Sequence, residues 1–116
     1  MSDGEELLAW QMDQLGIRYL RQVRFHGSRQ WRCDFGLQSY GPILVEVDGG
    51  TNPFRNKKTG ELMLGRHSKG KGFEDDCEKL NEAAILGFRI LRVTPKMVED
   101  GRALQWIERA IGRKAK

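Results

Sequence analysis

The chain has only two cysteines, Cys33 and Cys77, in 116 residues. That excludes a disulfide framework and makes a reducing cytoplasm the expected setting, with both thiols as small buried apolar side chains. It has only two histidines, His26 and His67. The set His26, Cys33, His67 and Cys77 follows no zinc-ligand spacing, which argues against a zinc site. No uninterrupted apolar run exceeds five residues, so no membrane-spanning helix is expected. The acidic start, Met1-Ser2-Asp3-Gly4-Glu5-Glu6, lacks the apolar core of a signal peptide. No repeat recurs at solenoid period.

What is present reads as one soluble domain, 39% hydrophobic and 31% charged. It is expected over residues 1–112, with a basic tail over 113–116. The net charge of +4 is unevenly spread. Residues 49–72 hold six Lys/Arg against one Asp/Glu, in a Gly-rich stretch without clear periodicity. A stretch of that length is functional or partly disordered. A second basic series, Arg18, Arg21, Arg24, Arg29 and Arg32, has no acid among its members. Clustered cations around an acidic centre fit a polyanion held near a metal.

The chain's periods give its elements. Ser2-x-x-Glu5 fits a capping box, and Leu7, Leu8, Met12 and Leu15 recur at helical spacing, so a helix is expected over 3–15, stopped by Gly16. Tyr19–Phe25 reads as a strand and His26-Gly27-Ser28 as a turn. Gln30–Leu37 alternates, with Trp31, Cys33, Phe35 and Leu37 on one face and Arg32 and Asp34 on the other. After the turn at 39–42, residues 43–48 read as a central strand apolar on both faces. A short hairpin fits around Lys58-Thr59-Gly60. Phe73–Leu86 is expected to be a helix, with Asp75 and Asp76 in its first turns and Phe73, Cys77, Leu80, Ala84 and Ile85 as its apolar face. Gly87 caps it, and Phe88–Val93 is the next strand. Thr94-Pro95 opens a last helix, with Leu104, Ile107 and Ile111 as its core stripe. The order αβββαβα implies a small mixed sheet flanked by helices. Trp10, Trp31 and Trp106 are expected in or at the edge of the core.

The chemistry concentrates in Trp31–Gly50. Glu46 and Asp48, spaced i, i+2, share one face at the end of their strand. If the strands pair through the 39–42 turn, Asp34 comes near Glu46. Three converging carboxylates at a sheet edge need cations, donors or protons, because buried unpaired charge is costly. A hard divalent ion answers that need. Ordinary pairing of these acids with Arg24, Arg32 or other arginines is the plainer alternative. Arg92, at a strand end, is placed to pair with Glu46 or a phosphate.

Trp31-Arg32-Cys33-Asp34-Phe35, then Ile43-Leu44-Val45-Glu46-Val47-Asp48-Gly49, His67, Asp76-x-x-Lys79, Gly87 and Ile90-Leu91-Arg92 carry a resemblance in that order. From about residue 3 to 111 the chain resembles the very-short-patch-repair-like branch of the PD-(D/E)XK nuclease superfamily, and within it small stand-alone phage endonucleases. The resemblance implies a restriction-endonuclease-like core and a Mg²⁺-dependent phosphodiesterase, with Mn²⁺ as a substitute. Asp34 matches the family's first acid and Glu46 its second, with Asp48 beside them as a third metal-site residue. The superfamily often has Lys where this chain has Asp48. The basic catalytic role then falls to Lys79 first, with His67, Lys69 and Lys71 as alternatives. Glu5 or Glu6 of the first helix sometimes completes such sites.

The expected activity is hydrolysis of DNA phosphodiesters, selective for shape rather than sequence. Arg55, Lys57, Lys58, Arg66, Lys69 and Lys71 are the expected DNA contacts, with Phe54 as a stacking or wedging side chain. A Holliday-junction resolvase of a phage recombination module is one alternative and would be a homodimer. A repair or nicking enzyme could act as a monomer. A phage origin would place the protein in the cytoplasm of a bacterial host. A catalytically silent nucleic-acid-binding module on the same fold is the alternative from another class.

Overall fold

The computed structural model describes residues 3–48, 54–55, 62–63 and 70–113. Helix α1 (Asp3–Gln14) is followed by strands β1 (Leu20–Arg24), β2 (Arg32–Gly36) and β3 (Ile43–Val47). The short β4 (Phe54–Arg55) and β5 (Leu62–Met63) pair antiparallel, and the turn expected around 58–60 lies outside the described residues. Helix α2 (Gly70–Ile85), strand β6 (Arg89–Val93) and helices α3 (Pro95–Glu99) and α4 (Arg102–Ala110) complete the order.

The main sheet runs β1-β2-β3-β6. The first two pairings are antiparallel, and β3 and β6 are parallel. This is the small mixed α/β sheet flanked by helices that the sequence implied. β3 sits in the middle and is buried on both faces. Ile43 and Val45 join Leu8, Met12, Val98, Ala103 and Ile107 in the larger core cluster. Leu44 joins Cys33 and Ala83 in a smaller one. Successive strand residues point to opposite faces, so α1, α3 and α4 cover one face and α2 the other.

The expected single C-terminal helix is two. Gly101 adopts φ 89°, a left-handed conformation that breaks the helix between α3 and α4. Thr94 caps α3, its Oγ1 accepting from Met97 N–H at 3.3 Å. Gly16, at φ 66°, ends α1 as expected.

Helix α2 begins three residues earlier than expected and is turned differently. Asp75 and Asp76 therefore lie beyond its first turn. Phe73, Ala84 and Ile85 are exposed, and Ala83 is fully buried. The inward face runs through Asp76, Lys79, Leu80 and Ala83, with Cys77 only half-buried. Trp10 is also outside the core, at 59% exposure.

Strand alternation fails at one place, and that place positions the site. Cys33 packs with Leu44 and Ala83 on the α2 side, whereas Phe35 and Leu37 pack with α1 on the other. The expected common face of Cys33 and Phe35 does not exist. The partner strand switches with it. Arg21 reaches Glu5 of α1, and Val23 packs in the Cys33 cluster. Register stays constant through the switch, Arg21 opposite Phe35 and Val23 opposite Cys33. The crossover falls at Gln22, whose φ is 52°. A non-glycine residue in that region costs about 1–2 kcal/mol.

The far end of the β1–β2 hairpin is clipped to α2. Arg29 bonds Glu78 at 2.9 Å, and its guanidinium lies 4.0 Å from the Trp31 ring centre. His26 Nδ1 accepts from the Ser28 and Arg29 amides, which leaves Nε2–H to donate to Glu82 at 3.0 Å.

Candidate active site

β3 runs apolar until its last turnable positions and then presents Glu46, with Asp48 just beyond its end. Phe35 opposes Val45, and one further step in that register places Asp34 opposite Glu46. The backbone ladder stops there because the Asp34 side chain takes over: its Oδ2 accepts Val47 N–H at 2.8 Å. The chain thus spends a strand hydrogen bond on fixing a carboxylate.

Asp34, Glu46, Val47, Asp48, Asp76 and Lys79 line one cleft of about 170 Å³. Lys79 comes from the inward face of α2. Its Nζ donates to Glu46 Oε1 and to the Arg32 carbonyl. Lys79 and Glu46 are 12% and 14% exposed, so the pair is largely withdrawn from solvent. Arg92 of β6 donates through Nε to Asp48 at 3.0 Å and also pairs with Asp76. Of the two partners weighed for Arg92, Glu46 is taken by Lys79, and Arg92 pairs with Asp48 and Asp76 instead.

Burial pushes the Asp34 carboxyl above the usual range; the Val47 N–H opposes this and the Glu5 charge adds to it. Burial also raises Glu46, outweighing the Lys79 hydrogen bond and charge, and the charges of Asp34 and Asp76 raise it further. Two acids that resist ionisation while facing each other form a site suited to added positive charge. Burial raises the Cys33 thiol to about 12, which makes it a packing residue.

Glu5 lies at the rear of this region, only 5% exposed. Arg21 bonds it at 2.6 Å and also pairs with Glu6. Gln22 Nε2 donates to Glu5 Oε2 at 3.2 Å and to Asp34 Oδ1 at 3.3 Å.

The structure therefore brings Asp34, Glu46, Asp48 and Lys79 together. Lys57, Lys58, Arg66, His67 and Lys69 lie outside the described residues. So do the side chains of Phe54 and Arg55, which belong to β4, and of Lys71, which belongs to α2. Asp76 and Gln22 were not singled out as site residues from the sequence. The i, i+3 spacing of Asp76 and Lys79 is a legible signal, since it puts both on one helix face. Gln22 gives no such signal.

As a metal site the donors are all carboxylate oxygens, the type that suits Mg²⁺ or Mn²⁺. Among the described residues no three His, Cys, Asp or Glu side chains form a ready-made ligand group. Arg92 pairs with Asp48 and Asp76, and Lys79 with Glu46. Asp34 and Glu46, from adjacent strands, are the pair that would hold an ion, with Asp48 beside them and Lys79 sharing or giving up Glu46. Two carboxylates fit Mg²⁺, which retains waters and takes substrate phosphate oxygens as further ligands.

The sequence matches no protein-family model and no curated protein. Among solved structures the chain is similar to the catalytic domain of the homing endonuclease I-Bth0305I. The TM-score is 0.62 and the identity 20%, over 96% of this chain and 94% of that one. The likeness establishes a shared fold.

Proposed function

We propose that the chain is a metal-dependent DNA endonuclease. The observation that carries this reading is the convergence of Asp34, Glu46 and Lys79 in one cleft, on a fold shared with a homing endonuclease catalytic domain. Asp34 and Glu46 would hold a Mg²⁺ ion, with Mn²⁺ as a substitute. A bound ion supplies polarisation of a phosphoryl oxygen and a more acidic water. Lys79 brings a positive charge to the scissile phosphate and helps place the attacking water. The water oxygen adds to phosphorus in line and releases a proton to solvent, the bond to the leaving sugar oxygen breaks, and that oxygen takes up a proton from solvent. Asp48 and Asp76, which line the cleft, hold Arg92, a further cation for a neighbouring phosphate. The basic 49–72 segment supplies further backbone contacts through Arg55, Lys57, Lys58, Arg66, Lys69 and Lys71. His67 of that segment is a further donor to phosphate.

Phosphate contacts carry no sequence information, so the substrate is selected by shape, with nicked or branched DNA favoured. A homodimer cutting a four-way junction, as a phage recombination resolvase does, is the two-fold version of this activity; repair nicking is the one-fold version. A second reading, a silent nucleic-acid-binding module, has one observation in its favour. Glu46, Asp48 and Asp76 each already have a cationic partner.

The test is cleavage of labelled linear, nicked and four-way-junction DNA with Mg²⁺, Mn²⁺ or EDTA. Cutting that needs metal and falls about a hundredfold or more in Asp34→Asn is expected. Lys79→Met should bind DNA normally and cut about a hundredfold more slowly. DNA retention in a gel without cutting under any condition would favour the silent module.

A further inference from the structure

Gln22 stands where β1 turns left-handed, and among the described residues it alone does so without being glycine. Glycine adopts that conformation most cheaply, yet a long amide side chain is kept there. Observed backbone outliers of this kind point toward function rather than away from it.

The side chain has a task that fits. Its Nε2 donates to Asp34 Oδ1 at 3.3 Å and to Glu5 Oε2 at 3.2 Å. Both acceptors are carboxylates, which in their ionised form only accept, so the amide must face them with its nitrogen. The other Asp34 oxygen takes the Val47 N–H at 2.8 Å. The carboxylate is therefore held at both ends, and its plane is set. Glu5 is itself fixed by Arg21 at 2.6 Å. A line of contacts thus runs from α1 through Gln22 to Asp34. Without the amide between them, Glu5 and Asp34 would face each other as like charges.

We infer that Gln22 is a positioning residue, which sets the Asp34 carboxylate in the orientation that receives a divalent cation. With Arg21 opposite Phe35 and Val23 opposite Cys33, Gln22 stands across from Asp34, and its amide lies between Asp34 of β2 and Glu5 of α1. The inference rests on the reading of Asp34 as a metal ligand.

The test is Mn²⁺ binding to the DNA-free protein by electron paramagnetic resonance, beside the melting temperature and the Mn²⁺ concentration for half-maximal cleavage. Gln22→Met keeps the length and the backbone strain and loses the donor. Gln22→Gly loses the donor and relieves the backbone. Both are expected to weaken Mn²⁺ binding about tenfold and to raise the half-maximal concentration in step. The rate at saturating Mn²⁺ should change little, and Gln22→Gly should melt no lower than the parent. If both variants bind Mn²⁺ as the parent does while Asp34→Asn does not, Gln22 is a backbone device and the inference is overturned, with the reading of Asp34 intact. If Asp34→Asn binds Mn²⁺ as tightly as the parent, the reading of Asp34 itself fails and the inference with it. Should Gln22→Gly not fold, Gln22→Met decides by the same criterion.

Discussion

The surroundings of Asp34 oppose its ionisation. Its raised carboxyl follows from burial, and the sign of the consequence is fixed. An acid that protonates more readily in the folded chain than in the unfolded one costs stability while ionised. That cost is present at neutral pH and is relieved as pH falls through the folded-state value. Asp34→Asn is therefore expected to melt at or above the parent at pH 8, with the gap closing on acidification. Calorimetry over pH 4–8 reads this, and a variant that melts lower at pH 8 would show that the charge is structurally required. Stability gained as activity is lost marks a side chain kept for function. Asp34, Glu46 and Asp48 are legible because strand parity and the turn between their strands place them together at one end of the sheet. Lys79 is legible through the family resemblance and Asp76 through its i, i+3 spacing from Lys79, although the apolar residues of α2 misreport its rotational setting because Phe73 and Ile85 are exposed. Gln22 depends on one dihedral angle, which residue type does not encode.

Elements were more legible than their faces. The strands β1, β2, β3 and β6 fall where alternation and apolar runs placed them. Alternation assumes an unbroken pleat, however, and at Gln22 and Asp34 the pleat turns over, so Cys33 and Phe35 part company. The C-terminal helix was read as continuous because Thr94-Pro95 and the Leu104–Ile111 stripe are both correct signals. Gly101 between them is the break. The Thr94 cap gives a check at this scale. Thr94→Ala should lower unfolding stability by about 1 kcal/mol, by loss of the bond to Met97 N–H. Urea unfolding would show the shift in midpoint, while cleavage should be unaffected, since α3 lies across the core from the cleft.

For the whole molecule, charge is divided by role. The positive excess sits in residues 49–72, and the acids of the cleft are withdrawn behind Lys79 and Arg92. If that segment tracks the phosphate backbone, DNA affinity must fall steeply with salt. Replacing Lys57 and Lys58 with Gln should reduce the slope of log affinity against log salt by about 2. Filter binding between 50 and 200 mM salt reads this, and an unchanged slope would remove both lysines from the interface. The main sheet is open at both ends of its strand order. β1 is one of its two outer strands, and its edge, unpaired among the described residues, is a template on which a second chain could add a strand. The left-handed residue Gln22 interrupts that edge near its middle, and Arg21 and Arg24 place charge along it. The same residue whose amide holds Asp34 thus makes the edge a poor seed for aggregation.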